Sequence, residues 1–263
     1  MKRRIAYLWM CFVALPLWAQ FNNEEIRREM HEGTLAGFGT SQVKDTYLSP
    51  FNYTGWGARI FNERMTLLRG MRFSRQQTIS VDISSTKNPA ENVNDFGAFV
   101  DYTLAYHYRT GSPNFKFLPG AFAHLMGGFI YNTRNGNNPL SAKVDVDLGV
   151  SLMMIYTFRL NNRPFVLRYQ GELPLGGVFF SPPYGISYYE MFNEGNISDI
   201  IALNSFHNKF SLKNYVTLDI PVHSSTLRLA YLSSLYQSDT EHITTYILSN
   251  TFMIGWVKKF VLR

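Results

Sequence analysis

The chain has 263 residues, a formal net charge of +6, a single cysteine, and a high aromatic content with 21 Phe and 16 Tyr. One cysteine excludes an internal disulfide and a cysteine-rich metal site. Half of the charge excess comes from Lys2, Arg3 and Arg4, because their removal lowers the net charge to +3. This small excess does not indicate a nucleic-acid-binding protein, so we expect no nucleic acid as a partner.

The N-terminus has the pattern of a secretory signal. Three basic residues precede the apolar stretch AYLWMCFVALPLW, which is too short to cross a bilayer as a helix. Ala19 is a small residue at the position where a signal peptidase would cut. We therefore predict a cleaved signal peptide over 1–19, with an uncleaved anchor as the alternative. Cleavage removes Cys11 and leaves a chain without cysteine.

Further along, apolar and polar residues alternate with the period of two that is typical of β-strands. The pattern covers 78–84, 96–109 and 143–156, and in the last two it runs for more than ten residues. Strands of soluble sandwiches cluster near five or six residues, whereas membrane strands need roughly nine to eleven. The length of these runs and the Tyr and Phe near their ends favour membrane-spanning strands.

Short turn-like segments alternate with longer polar segments. The short ones are 69–75, 110–114, 161–164 and 221–225, and the long ones are 41–52, 85–94, 132–141, 178–208 and 237–242. Tight periplasmic turns that alternate with longer external loops are typical of outer-membrane barrels. We predict an all-β, antiparallel up-and-down transmembrane β-barrel of about ten strands, or about twelve if the region 174–208 holds another hairpin.

The last residues, TFMIGWVKKFVLR, alternate in the same way, with Phe252, Ile254 and Trp256 on one face. In a closed barrel the last strand pairs with the first, so this apolar strand would have no free edge. Gly255 and Phe260 are similar to the terminal pattern that the barrel-assembly machinery reads. We therefore expect that machinery as a partner of the C-terminal strand.

These features predict three segments: the signal peptide at 1–19, a short periplasmic N-terminal segment at 20–32, and an outer-membrane β-barrel at 33–263. The expected location is the outer membrane of a Gram-negative bacterium, with both termini in the periplasm. Outer-membrane lipids would surround the barrel. A monomer is the expected state, although the pattern does not determine the oligomeric state.

Three stretches of the chain are similar to a known family: TYLSPFNYTGWGARIFNERM, FSPPYGISYYEMF and NTFMIGWVKKF. They resemble an uncharacterised outer-membrane β-barrel family of the Bacteroidetes type, which is a domain of unknown function. The stretches lie between positions 46 and 260, so the resemblance extends over nearly the whole mature chain. It implies a fold and a location, and it implies no reaction.

No segment contains a complete catalytic set. Outer-membrane phospholipases have an N-H-x-S-N-G signature, and here Asn132 and Arg134 stand where its His and Ser would be. His223 and Ser225 have the spacing found in lipid A deacylases, but Leu235 occupies the position of the acid. No histidine has metal-ligand spacing with a carboxylate, so we expect neither a metal nor a cofactor. The sequence favours a non-enzymatic protein, and a lipid-modifying enzyme is an alternative.

Charged residues of both signs occupy the faces that would point into the lumen. They are Arg59, Glu63, Asp82, Asp101, Arg109, Lys143, Asp145, Asp147, Arg168, Glu172, Lys213, Asp219 and Arg228. The lumen of a ten-stranded barrel is narrow, and opposite charges without access to bulk water pair with each other. We predict a lumen filled by ion pairs, with a narrow passive pore for small solutes as the alternative.

The segment 178–208 is too long and too aromatic for a simple connection. Its aromatic residues are Phe179, Phe180, Tyr184, Tyr188, Tyr189 and Phe192. They would either cover the barrel mouth or form an external binding surface. The sequence as a whole therefore predicts an outer-membrane barrel with a structural or surface-interaction role.

Overall fold

The computed structural model describes residues 28–68, 72–136, 138–181, 200–222, 225–240 and 242–262. The chain folds into antiparallel β-strands: β1 (Arg28–Asp45), β2 (Ser49–Leu67), β3 (Phe73–Lys87), β4 (Asn94–Tyr108), β5 (Thr110–Gly111), β6 (Phe115–Asn132), β7 (Leu140–Leu160), β8 (Arg163–Phe180), β9 (Ile201–Asn204), β10 (Lys209–Val222), β11 (Ser225–Thr240) and β12 (Ile243–Leu262). The predicted signal peptide lies outside the described residues. β1 begins inside the segment 20–32 that we predicted to precede the barrel.

Ten strands close into a ring in the order β1, β2, β3, β4, β6, β7, β8, β10, β11 and β12, and β12 returns to β1. The closing pair is long, and it extends from Arg28 opposite Leu262 to Asp45 opposite Thr245. Two short strands lie off the ring, with β5 on β6 and β9 on the end of β8. The prediction of a ten-stranded antiparallel barrel is confirmed, as is the pairing of the last strand with the first.

The two ends of the barrel differ in whether they hold the first and last residues of the ring. The terminal end holds the start of β1 and the end of β12, and the loop end is the opposite one. The predicted long loops 41–52 and 132–141 are wrong in extent, because β1 continues to Asp45, β2 starts at Ser49 and β6 reaches Asn132. These strands are longer than the roughly nine to eleven residues that a membrane strand needs, so their ends can be polar. The connection from β8 to β10 is long, and β9 forms part of it.

The outward faces of the strands carry a continuous apolar belt. Its exposed members include Phe38, Ile60, Ile79, Val81, Ile83, Val100, Leu125, Val144, Val146, Leu148, Val150, Phe252 and Ile254. Soluble monomers rarely expose an apolar surface of this extent, whereas the outer face of a membrane barrel is apolar and is covered by lipid. Trp256, Tyr106 and Tyr156 lie nearer the strand ends, where aromatic girdles occur. Among the described residues there is no helix long and apolar enough to cross a bilayer.

One side of the lumen is filled by apolar side chains. The cluster consists of Leu35, Phe61, Tyr215, Ala230, Leu232 and Met253, which come from neighbouring strands of the ring. The rings of Phe61 and Tyr215 lie 5.2 Å apart in a tilted arrangement. Charged residues lie on the same strands as this cluster, as Glu63 does on β2 and Arg228 on β11.

The contact between β8 and β10 is the shortest in the ring. It extends only from Lys213 opposite Glu172 to Asp219 opposite Val166. Toward the loop end, β9 pairs with the last residues of β8, from Gly177 to Phe180. On this side β8 therefore has two successive partners, β10 up to Glu172 and β9 from Gly177 onward.

Candidate functional site

The candidate site is the polar network of the lumen, and Glu63 is its most connected member near the terminal end. Arg168 donates two hydrogen bonds of 2.7 Å to the two carboxylate oxygens of Glu63. Arg228 also donates to Glu63 Oε2 and uses its Nε and Nη2 atoms to bind Asp219 at 2.6 and 2.7 Å. Two arginines therefore share one buried carboxylate, and Asp219 balances the second positive charge.

Glu63 and Arg168 connect opposite walls of the barrel. Glu63 lies on β2 and Arg168 on β8, and these strands stand five places apart in either direction around the ring. The guanidinium of Arg168 also lies 5.0 Å above the ring of Tyr215. A bidentate pair in this position crosses the full width of the lumen.

Amide and hydroxyl groups extend this cluster across the lumen. Gln76 donates to Glu63, and the side-chain amides of Gln76 and Gln170 bind each other at 2.8 and 2.9 Å. Gln170 also donates to Ser151 Oγ, which lies 2.9 Å from Nε2 of His107. The arginine cluster is thus joined to a chain of four polar residues, Gln76, Gln170, Ser151 and His107.

The His107 and Ser151 pair has the spacing of a base and a nucleophile, yet its surroundings do not suit catalysis. His107 is fully buried, and its Nδ1 atom has no hydrogen-bond partner within the described chain. Nucleophilic catalysis requires a group that orients the base and a path for the substrate. Among the described residues no group orients the imidazole of His107 through its Nδ1 atom, and both side chains are buried in the interior.

A second charged cluster lies nearer the loop end. Lys213 donates to Asp101 at 2.7 Å, and Nε2 of His124 lies 2.6 Å from the same carboxylate. Nδ1 of His124 lies 3.4 Å from Asp147. The imidazole therefore connects two aspartates on different strands.

Lys209 continues this cluster toward the loop end. Its ammonium donates to Asp145 at 2.7 Å and to both oxygens of Asp147 at 3.0 Å. It also lies 5.6 Å from the centre of the Phe179 ring and 5.2 Å from that of Tyr236. Carboxylates and aromatic faces together compensate the burial of this cation.

A further ion pair crosses the lumen at the loop end. Lys143 Nζ lies 2.9 Å from Asp45 Oδ2 and donates to Thr245 Oγ1 at 2.8 Å. Lys143 is on β7 and Asp45 on β1, which again stand five places apart around the ring. The lumen is thus bridged twice across its width, once toward each end.

Most of the lumen charges predicted from the sequence take part in ion pairs. They are Arg59, Glu63, Asp82, Asp101, Lys143, Asp145, Asp147, Arg168, Lys213, Asp219 and Arg228. Glu172 instead accepts a hydrogen bond from Gln170. Arg109 lies just beyond the end of β4 and has no ion pair with any residue that the structure describes.

Sequence reasoning missed Asp45, His124 and Lys209. Asp45 and Lys209 belong to segments that we had assigned to loops or loop borders, although both occupy inward positions of strands. His124 lies on β6, where Pro119 and several glycines obscure the alternation. Following the parity back from Lys213 would have indicated that Lys209 also points inward.

The predicted external aromatic surface is divided by the structure. Phe179 is buried and faces Lys209 inside the lumen, so it does not belong to an external surface. Phe180 is the last residue of β8. The remaining members, Tyr184, Tyr188, Tyr189 and Phe192, lie outside the described residues, as do His223 and Ser224.

Three of the cavities that the described residues line follow one another along the lumen. The one at the terminal end measures about 270 Å³ and is lined by Arg109, Lys116, Arg168 and Arg228 among others. Two smaller cavities, of about 30 and 70 Å³, lie farther inside. Within the described ranges, no group of three His, Cys, Asp or Glu side chains is arranged to hold a metal ion.

The fold and its outer surface define a class, which is the closed antiparallel β-barrel with an apolar belt and a polar lumen. The chain belongs to the family described as "Protein of unknown function (DUF3316)", whose model matches residues 6–263. The resemblance to an uncharacterised domain family is thereby confirmed, and the affiliation with Bacteroidetes stays a prediction. No curated protein matches the sequence significantly.

Solved structures with a similar arrangement include outer-membrane barrels. The outer membrane protease OmpT from Escherichia coli has 6% identity and a TM-score of 0.48, and the alignment covers 92% of this chain and 99% of that one. The β domain of the Bordetella autotransporter BrkA has 10% identity and a TM-score of 0.44, with coverage of 89% and 100%. The translocator domain of the autotransporter NalP from Neisseria meningitidis has 6% identity and a TM-score of 0.43, with coverage of 91% and 90%.

Proposed function

We propose that this protein is a non-conducting outer-membrane β-barrel with a structural or surface-interaction role, whose lumen is a polar core rather than a channel. The single observation that carries the proposal is the pair formed by Glu63 and Arg168, which joins opposite walls of the ring. Asp45 and Lys143 form a second bridge at the loop end. Small solutes would have to break both bridges in order to pass.

The energetics of these bridges support a closed lumen. Removing one partner of a buried ion pair costs about 3 to 5 kcal/mol, because the other charge is left without compensation. Wide aqueous channels belong to barrels of roughly sixteen or more strands, in which the lumen is too broad for side chains to span. In the present ring, side chains from opposite strands reach each other directly.

A monomer in the outer membrane, with both termini on the periplasmic side, fits this proposal. β1 pairs with β12 along its whole length, so the first and last strands leave no open edge for a second copy. Recognition of β12 by the barrel-assembly machinery, and outer-membrane lipid around the apolar belt, belong to the same proposal.

The second candidate is a narrow passive pore, and one observation favours it. The three cavities follow one another along the lumen, separated by side chains alone. Opening would then require that side chains on the bridges change rotamers. Such a pore would conduct small ions during short openings.

Single-channel recording of the refolded protein in planar bilayers distinguishes the two candidates. We expect the wild-type protein to insert without conductance steps. The double variant Glu63→Ala and Lys143→Ala, which cuts one partner from each bridge, should conduct, whereas the exterior variant Glu32→Ala should stay silent. Regular conductance steps from the wild-type protein would contradict the closed lumen and support the pore.

A further inference from the structure

The cavity at the terminal end has an unusual charge balance. Four cationic side chains line it, namely Arg109, Lys116, Arg168 and Arg228, against the two carboxylates of Glu63 and Asp219. These two carboxylates are already fully engaged by Arg168 and Arg228. Among the described residues, two positive charges are therefore left without a counter-charge.

The two surplus cations are Arg109 and Lys116. Both side chains are half-buried, and neither forms an ion pair within the part of the chain that the structure describes. Cations that are partly removed from water gain from an anion in contact. Their position on one cavity wall makes a shared anion the simplest way to supply it.

A third group points to the same conclusion. Arg168 is 5% exposed and lines the cavity, and its Nε atom is buried without a hydrogen-bond partner among the described residues. Its two terminal nitrogens are held by Glu63, which fixes the guanidinium in place. Its guanidinium is therefore a rigid group at the inner end of the cavity, and an anion in the cavity would contact Arg109 and Lys116 first.

We propose that this cavity is a binding site for a phosphate-type oxyanion, with Arg109 and Lys116 as its main contacts and Arg168 as its inner wall. A tetrahedral oxyanion carries several acceptor oxygens, and guanidinium groups bind such oxygens with charge-assisted hydrogen bonds. The volume of about 270 Å³ is large enough for a phosphate group with its nearest substituents. The phosphate can be free in solution or can be the headgroup of a lipid.

Calorimetric titration tests the site with the full-length protein, refolded in a phosphate-free detergent at low ionic strength. One arm uses inorganic phosphate, and the other uses a short-chain phosphatidylglycerol, with the matching glycerol ester that lacks phosphate as its control. Binding of the phosphate alone assigns a soluble anion, and binding of the lipid alone assigns a headgroup. Failure of both ligands to bind at millimolar concentration would overturn the proposal.

Variants decide whether the named residues are responsible. Replacing both surplus cations, Arg109→Gln with Lys116→Gln, should weaken binding by about tenfold or more, since two charge-assisted contacts are lost. The matched control is Arg159→Gln with Arg163→Gln, which removes two exposed cations at the same end and should leave the affinity unchanged. Equal loss in both double variants would overturn the site.

A charge-conserving variant is the control that separates loss of charge from loss of the fold. Arg109→Lys with Lys116→Arg keeps both charges and should keep the affinity within a few-fold. The heat-dependent gel shift of each variant shows whether the barrel is intact. If the charge-conserving protein is folded yet loses binding as fully as the neutral variant, the proposal of a charge-based anion site is wrong.

Discussion

Asp45 and Lys143 lie at opposite sides of the ring and meet 2.9 Å apart inside the loop end of the lumen. Both side chains are nearly inaccessible to solvent, so the pair is screened little by salt. Toward the terminal end, Glu63 and Arg168 repeat the arrangement with a bidentate geometry. Ion pairs across the interior therefore stabilise the barrel in addition to the strand pairing around the ring.

The bridge between Asp45 and Lys143 gives a double-mutant prediction. Asp45→Leu or Lys143→Met alone should destabilise the barrel by about 3 to 5 kcal/mol, because each leaves one buried charge unpaired. The double variant should cost much less than the sum, since an apolar pair of similar volume replaces the ions. Urea titrations of unfolding in lipid vesicles measure this coupling. Strictly additive losses would show that the two residues do not interact.

Loss of the Glu63 carboxylate should lower the stability of the barrel more than loss of an exterior charge. Glu63→Gln leaves Arg168 without a counter-charge, since Asp219 balances only Arg228, and we expect a loss of about 3 to 5 kcal/mol in the free energy of unfolding. Glu32 is the matched control, because it forms an exposed ion pair with Arg64 at 2.9 Å. Glu32→Gln should cost about 0 to 1 kcal/mol. Similar losses for the two variants would contradict the buried network.

Parts of the interior could be predicted from the sequence and parts could not. Alternation with period two places Glu63, Arg168 and Arg228 on inward faces, because each side chain's direction follows from its own strand. Which of them meet depends on the order and stagger of strands that are far apart in the chain, and periodicity contains no information on stagger. The pair of Glu63 and Arg168, 105 positions apart, is therefore visible only in the folded barrel.

The ends of the strands were the least predictable part. Polar residues near Asp45 and Asn132 read as loops, since outside the bilayer a strand no longer needs an apolar face. The same effect hid Asp45 as a member of the lumen. Pro119 and the glycines of β6 obscured His124 for a different reason, because residues without a distinct polar or apolar side chain do not mark a face.

The apolar belt predicts a depth-dependent cost of charge. Val146 lies on the outward face in the middle part of β7, and Val146→Arg should cost about 2 to 4 kcal/mol in a bilayer. Leu160 is outward on the same strand but at its terminal end, so Leu160→Arg should cost about 0 to 1 kcal/mol. Folding titrations into vesicles compare the two variants. If the two costs were equal, the belt would not be in contact with hydrocarbon.

Closure of the ring predicts resistance to detergent. All ten ring strands have a neighbouring strand on both sides, so unfolding has no fully open edge strand at which to begin. The folded protein should migrate differently on SDS gels before and after boiling. A protein that is extracted by urea from membranes and shows no shift would contradict the barrel.

The last prediction concerns the connection between β8 and β10. Deleting 182–199 should leave assembly intact, because every strand of the ring and the pairing of β9 with β8 remain available. Deleting 180–204 should be worse, since it removes β9 and exposes the backbone of β8 from Gly177 onward. It also removes Asn204, whose amide donates to Asp147 at 2.6 Å. The heat-dependent gel shift after refolding into vesicles compares the two deletions. If the longer deletion assembled as well as the shorter one, β9 would have no part in completing the wall.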